Sequence, residues 1–419
     1  MTYPPSSKEV GRATADPARS WSASRLAARF GTYLMLAGTS VALIYIIDPT
    51  GDCWGTNSVA LLKYLPVEIA VIAQGFFWLD ARRGRGTGTN LLFLLAFMAM
   101  VLTGALISLL HDHASLEDSF LGRGIALLPV FPAYAVLSRN SEGRLLRRWL
   151  RLPLVAAGLL ITVGLAIWAA GIRFVDQPHI YHEEIFVAVC AAMIVYTWKR
   201  GTLRPLVMLL LVMSGLLSMK NTGILAAATV VVLLIFCVLG TGGSAPTLLL
   251  RRVLLAELSV LTLAGAVYVV LYHRDLLPSG SPAVRAFTYS ERALRFADHP
   301  VGGTFFVGSP LLSLFRSDAP SNLYIPSHSD LLDILAFGGV IGFALFAIPL
   351  WRMTVGGVRR LRESVREQDW LPAYSVAVVS VFITEMAFNP VWNQPALVWI
   401  FCLAIACLAR AVDARAGAS

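Results

Sequence analysis

Apolar runs of about 16–22 residues recur along almost the whole chain, joined by short polar links. A chain built this way is expected to fold as an all-α, polytopic bundle of membrane helices. Only 14% of its 419 residues are charged and 57% are hydrophobic, which is too little charge for a soluble domain. Twelve spans are read at 30–47, 58–79, 91–110, 122–138, 153–172, 184–198, 205–219, 223–240, 253–272, 330–351, 371–389 and 395–410. The organisation is then a basic tail (1–29), nine spans (30–272), one large loop (273–329), three spans (330–410) and a short tail (411–419).

Lysine and arginine orient the bundle. With the first tail in the cytoplasm, 25 of the 34 basic residues fall on that side, spread over short links. Eight fall outside: Arg123, Arg173, Lys220, Arg274, Arg285, Arg292, Arg295 and Arg316, while Lys63 lies within the second span. This asymmetry is the positive-inside pattern, and it puts both termini in the cytoplasm and the large loop outside.

The same distribution explains the net charge of +9 without a nucleic-acid partner, because no single face gathers the charge. Cys190, Cys237, Cys402 and Cys407 fall in apolar runs and only Cys53 in a link, so no disulfide is expected. The polar tail ahead of the first run argues for a retained span rather than a cleaved signal peptide. The cytoplasmic links carry no phosphate-binding glycine loop, which argues against a nucleotide-driven reaction there. All seven histidines, by contrast, lie on the outer side. Chemistry is therefore expected on the outer face, and no internal repeat of the kind many transporters carry is visible.

The large loop runs for about fifty-five residues outside any apolar run, far beyond an ordinary connection. Within it, AVRAFTYSERALRFAD has helical spacing, with Arg285, Tyr289 and Arg292 on one stripe and Glu291 set to pair with Arg295. The helix is either a solvated surface helix or a cation set for a phosphorylated ligand. Ser327-His328-Ser329-Asp330 opens the tenth span. Ser329 or Asp330 suits a helix cap, and an imidazole at a helix N-terminus suits a proton acceptor near neutral pH. Arg173 and Lys220 sit on the side the topology rule disfavours, which fits either contact with lipid phosphate or a binding role. Lys63 and Glu68 lie within the second span, and Glu385 with Asn389-Pro390 and Trp392 is placed to border a polar cavity. His111-Asp112-His113 is a weak metal-ligand cluster, and no metal or other cofactor is expected.

This order of features resembles the bacterial O-antigen ligase and O-antigen/exopolysaccharide polymerase family. Arg285-x3-Tyr289 stands where that family has an arginine–tryptophan helix, and His299-Pro300-Val301-Gly302-Gly303 resembles its glycine turn. His328-Ser329-Asp330-Leu331-Leu332 with Gly339 and Gly342 resembles the motif entering the next span. Ser218-Met219-Lys220 takes the place of a serine–arginine turn, and Arg173 that of an arginine ahead of a proline turn. The departures are Lys220 for arginine, Tyr289 for tryptophan, Ser329 for asparagine, and a glycine turn one residue short.

What the resemblance implies is a metal-independent glycosyltransferase of the bacterial inner membrane, its active site facing the periplasm. It would move a glycan from undecaprenyl diphosphate to a sugar hydroxyl of a saccharide acceptor, in O-antigen, capsule or exopolysaccharide assembly. His328 and Arg285 would be catalytic, and Arg173, Lys220 and Arg292 would bind the diphosphate. Its partners would be the lipid-linked donor, the acceptor, membrane lipid and a chain-length regulator. Repeat-unit polymerase is the favoured form, and ligation to lipid A-core the alternative within the class. A transporter or flippase built around Lys63, Glu68 and Glu385 is the alternative outside it.

Overall fold

The computed structural model describes residues 17–47, 59–80, 88–111, 126–171, 185–198, 201–218, 221–238, 281–309, 329–388, 391–393 and 395–416. Among these the regular structure is helical throughout. The helices are α1 (Pro17–Ile47), α2 (Val59–Asp80), α3 (Thr89–Leu110), α4 (Val130–Leu137), α5 (Asn140–Ala169) and α6 (Ile185–Tyr196). They continue as α7 (Leu203–Leu217), α8 (Asn221–Val238), α9 (Ser281–Asp298), α10 (Asp330–Arg366), α11 (Trp370–Met386) and α12 (Pro395–Ala416), with a 3-10 turn at Val391–Asn393.

Burial sorts these helices into a centre and a sleeve. Every residue from Ile185 to Val195 in α6 is buried, as is every residue from Ala396 to Ala409 in α12. In α11 only Pro372 and Ile383 escape full burial. A helix that is apolar on all sides has no face to give to water, and these three form the interior. Around them α3 turns Leu92, Leu95, Leu102 and Leu106 outward, and α7 does the same with Leu206, Leu209 and Leu210. Exposed leucine stripes on this scale suit lipid, and five described helices are long and apolar enough to cross a membrane: Leu26–Ile47, Thr89–Leu110, Ser141–Ala169, Asp330–Arg366 and Ala396–Asp413. The protein is a helical membrane bundle.

Small residues and internal hydrogen bonds hold the helices together where lipid offers no polar partner. Gly38 of α1 lies under the Trp399 ring, so close that a Cβ there would stand 2.7 Å from it. At the next residue of α1, Thr39 Oγ1 accepts a 2.8 Å hydrogen bond from Trp399 Nε1, tying α1 to the centre. The α7–α8 hairpin is tighter still: a Cβ on Gly215 would lie 2.4 Å from the Gly223 carbonyl.

Six elements differ from the hydropathy reading. The runs at 30–47, 153–172, 330–351 and 395–410 are cores of longer helices, which continue to 17, 140, 366 and 416 through polar sequence. The expected span at 122–138 contributes only the eight-residue α4 among its described residues. At twelve residues α6 is about 18 Å long, shorter than the hydrocarbon layer, and it is enclosed by protein instead. Finally, α10 is broken at Gly339, whose φ of 61° and ψ of −166° interrupt the helix. The expected span at 253–272 lies outside the described residues.

Candidate functional site

The site is assembled at the end of the bundle where α10 begins, around the helix that the loop sequence foretold. That helix, α9, runs over Ser281–Asp298, but its faces are inverted relative to a solvated surface helix. Thr288, Ser290 and Arg292 are buried, whereas Phe287 (46% exposed) and Leu294 (67%) look outward, seven residues apart on one face. Val301 and Phe305, beyond the helix, extend this apolar edge. An edge of this kind belongs at the lipid interface rather than in water.

The inward polar face is held by Arg292. Its guanidinium is fully buried, and Nε donates to Asp333 Oδ1 of α10 at 2.9 Å. Nη1 lies 3.1 Å from Glu291 Oε1, and the guanidinium carbon sits 5.0 Å from the centre of the Phe337 ring. Arg295 also rests on Phe337, 4.2 Å from the ring centre. Burial holds the Arg295 guanidinium below its ordinary pKa, the neighbouring Arg292 adds to this, and Glu291 opposes it. The expected Glu291–Arg295 pair is therefore replaced: Glu291 contacts Arg292, because Arg292 is the cation withdrawn from water. A cation on an aromatic face contributes about 0.5–2 kcal/mol, so Phe337 docks α9 through both arginines.

Immediately after α9, residues 299–309 turn back into the bundle and fill the break in α10. The Phe337 carbonyl accepts from the amides of Thr304 (2.9 Å) and Phe306 (3.0 Å). In return, Val340 donates to the Pro300 carbonyl at 2.9 Å and Ile341 to the Val301 carbonyl at 3.0 Å. The groups that a broken helix would leave bare are thus satisfied by a second segment, which is how irregular backbone survives at membrane depth.

Two glycines make this approach possible. A Cβ on Gly303 (φ 59°) would lie 2.2 Å from the Phe337 carbonyl oxygen, and one on Gly339 would lie 2.4 Å from that of Val301. The turn is anchored beneath by Phe306, buried against Phe97 of α3 with ring centres 5.6 Å apart. The Gly308 amide donates to Ser108 Oγ of α3 at 3.2 Å.

The N-terminal half of α10 starts at a cap. Ser329 Oγ accepts from the Leu332 amide at 3.2 Å and donates to the Met386 carbonyl of α11 at 3.4 Å. The capping role thus falls to Ser329. Asp330 instead reaches across, its Oδ2 accepting from the Trp392 amide at 2.9 Å. Asp330, Asp333 and Glu385 are all fully buried. The first two sit in the opening turn of a helix, where the backbone dipole favours negative charge. Trp392 packs on Phe346 and Phe97, closing the floor of the site.

Of the predicted site residues, Arg285 and Arg292 are both on α9. Arg285 is half-buried, and its Nε is out of water without a hydrogen-bond partner among the described residues. Arg292 is taken up by Asp333 and Glu291. His328, Arg173 and Lys220 lie outside the described residues, although His328 directly precedes the Ser329 cap in sequence. The polar region expected around Glu385 and Trp392 adjoins the start of α10, through Met386 to Ser329 and through Trp392 to Asp330. Glu68, in contrast, is exposed on α2, away from the interior.

Asp333 was missed by sequence reasoning. Its signal was an acidic residue three positions beyond Asp330, inside the first turn of an otherwise apolar span. Among the described residues no three acidic, histidine or cysteine side chains gather as a metal site would require. Compared with known proteins, the chain matches no family model and no curated protein.

Proposed function

We propose that this protein is an integral-membrane glycosyltransferase of the O-antigen ligase/polymerase type, acting on the outer face of the bacterial inner membrane. One observation carries the reading. The glycine turn at 299–303 and the glycines following Ser329, two segments singled out separately by the resemblance, are hydrogen-bonded to each other across the break in α10. Arg285 supports it: a guanidinium Nε withdrawn from water and without an acceptor among the described residues is suited to a phosphate oxygen.

In this reading the acceptor hydroxyl oxygen attacks the anomeric carbon of the lipid-linked glycan, and the bond from that carbon to the diphosphate oxygen breaks. His328 accepts the hydroxyl proton. Arg285, with Arg173 and Lys220, balances the charge that develops on the leaving diphosphate, and one such donor is worth about 10²–10³ in rate. Arg292 holds α9 to α10 and so positions Arg285. The apolar edge of α9 lies beside the polyprenyl tail of the donor. A repeat-unit polymerase is the form we favour, with a sugar hydroxyl on a second lipid-linked glycan as acceptor.

The test is glycan analysis in cells lacking the gene, complemented with wild-type, His328→Ala or Arg285→Ala protein at matched membrane levels. Single lipid-linked units with no long polymer in both variants is the expected result. Long polymer that stays on the carrier and never reaches lipid A-core identifies a ligase. Wild-type glycans from both variants would remove the assignment.

A second reading rests on Asp330, Asp333 and Glu385, three buried carboxylates beside a broken helix, an arrangement that also serves cation-coupled transport. It requires Glu385→Gln to abolish gradient-driven uptake in proteoliposomes, with glycan transfer left intact.

A further inference from the structure

The α7–α8 hairpin is closed at one end and open at the other. At the closed end Gly215 meets the Gly223 carbonyl, with no room between them for a Cβ. Toward the start of α7 and the end of α8, the two helices instead border an apolar groove of about 510 Å³. Pro205, Met208, Leu209 and Val212 line it from α7, and Val231 and Leu234 from α8. From Arg204 to Val212 it follows α7 for about 12 Å, at 1.5 Å per residue. Leu209 and Val231 are themselves exposed, so the groove opens on the side that α7 turns to lipid. An unfilled apolar space forgoes the close contacts that hold a bundle together, and a lipid chain restores them.

One end of this groove is charged. Arg204 lines it, its guanidinium carbon 4.6 Å from the centre of the Tyr196 ring and its Nη1 donating to the Trp198 carbonyl at 3.4 Å. Neither partner carries a negative charge, so the arginine is held in place with its own charge intact. Arg151 of α5 adds a second cation nearby, 5.8 Å from the centre of the Trp198 ring. Among the described residues neither arginine has a carboxylate at ion-pair distance. The sequence explains why: between Ile185 and Ala256, a stretch that takes in all of α6, α7 and α8, there is no aspartate or glutamate.

Tyr196 and Trp198 stand where α6 ends, as amphipathic aromatics do at the level of lipid headgroups. Basic pockets between helices at that depth take phosphorylated headgroups. An apolar groove that ends in an arginine without an acid matches a phospholipid, its chain in the groove and its phosphate on the guanidinium. A zwitterionic headgroup would bring a cation of its own against Arg204 and Arg151, so charge selects an anionic one.

We propose that the α7–α8 groove is a binding site for an anionic phospholipid, with an acyl chain along Met208 and Val212 and the headgroup phosphate on Arg204. The groove shares no residue with the glycosyl-transfer site proposed above, and its test stands apart from that reading.

The experiment is native mass spectrometry of the purified full chain with equimolar phosphatidylglycerol and phosphatidylcholine of identical chains. Phosphatidylglycerol is expected to be retained over phosphatidylcholine, with the preference falling roughly five-fold in Arg204→Gln. Val231→Trp fills the groove and is expected to bring retention of phosphatidylglycerol down to the level of phosphatidylcholine. Arg204→Lys keeps the charge and most of the preference, which separates loss of the cation from a folding defect. Arg359→Gln removes an exposed charge outside the groove and leaves the preference unchanged. Equal retention of the two lipids by the wild-type protein overturns the site. If Val231→Trp then also lowers the melting temperature, the groove is filled by protein instead, such as the apolar run at 253–272. A loss in Arg359→Gln as large as that in Arg204→Gln overturns it in favour of diffuse surface charge.

Discussion

Arg292 is the residue on which the candidate site turns. A guanidinium with no access to water, bound to a carboxylate equally enclosed, is costly to form and costlier to break. Removing one partner strands the other charge, so Arg292→Met and Asp333→Leu are each expected to destabilise by about 3–5 kcal/mol. The double variant replaces the pair by apolar volume and is expected to recover most of that loss. Thermal unfolding of the four proteins in detergent, read as a double-mutant cycle, measures it. Additive losses would mean that the pair does not couple α9 to α10. The same cycle separates position from chemistry, because the recovered double variant still carries Arg285 and His328.

At the scale of elements, α10 and the turn at 299–309 form one unit. Gly339 has backbone angles open in practice to glycine, and its Cα faces the Val301 carbonyl, so Gly339→Ala combines strain with collision. A loss of more than about 2 kcal/mol is expected from these two costs together. Gly75 of α2 is the contrast: nothing lies within 4 Å of a Cβ placed there. Gly75→Ala is expected to gain about 0.5–1 kcal/mol, because an exposed helix interior prefers alanine. Melting temperatures of the two variants check both directions.

This unit also shows what the sequence made legible and what it hid. The 3.6-residue spacing in AVRAFTYSERALRFAD was enough to place α9, and the Ser329-Asp330 pair narrowed the cap to two residues, of which the structure selects Ser329. Spacing fixes which residues share a face, however, and not whether that face meets water or protein. Arg292 could therefore be set beside Arg285 without its burial being visible. The break at Gly339 was hidden for a different reason. Hydropathy reports the preference of side chains for lipid, and FGGVIGF is as apolar as an intact helix. The partner that satisfies the open backbone lies about forty residues upstream, in a stretch read as loop. Helix ends were likewise underestimated where arginine-rich turns continue a helix into the interface, as in α5 and α10.

For the whole molecule, the contrast between its two ends organises everything else. One end gathers arginines on α5, α10 and α12; the other gathers buried carboxylates, a broken helix and an apolar-edged surface helix. The bundle class was legible from apolar runs alone, because no soluble fold tolerates so many. Sidedness is an expectation drawn from where the basic residues lie, and it is open to direct measurement. Asp298→Cys and Arg359→Cys place single thiols at exposed positions on opposite ends. In a background lacking the native cysteines, a membrane-impermeant maleimide added to intact spheroplasts is expected to label position 298, and to label 359 only after permeabilisation. The reverse pattern would invert the bundle and move the proposed chemistry to the cytoplasm.

The exchange of hydrogen bonds between residues 299–309 and the break in α10 imposes an order on biogenesis. Thr304 and Phe306 leave the ribosome about thirty residues before Phe337, whose carbonyl they need. At roughly 5–20 residues per second, that is a wait of a few seconds. Through that interval the turn has no partner for these amides inside lipid, so it must stay at the aqueous surface. Only when the N-terminal half of α10 arrives is there a carbonyl to take it in. The turn therefore joins the bundle only once the start of α10 has arrived, after the preceding helices have been made.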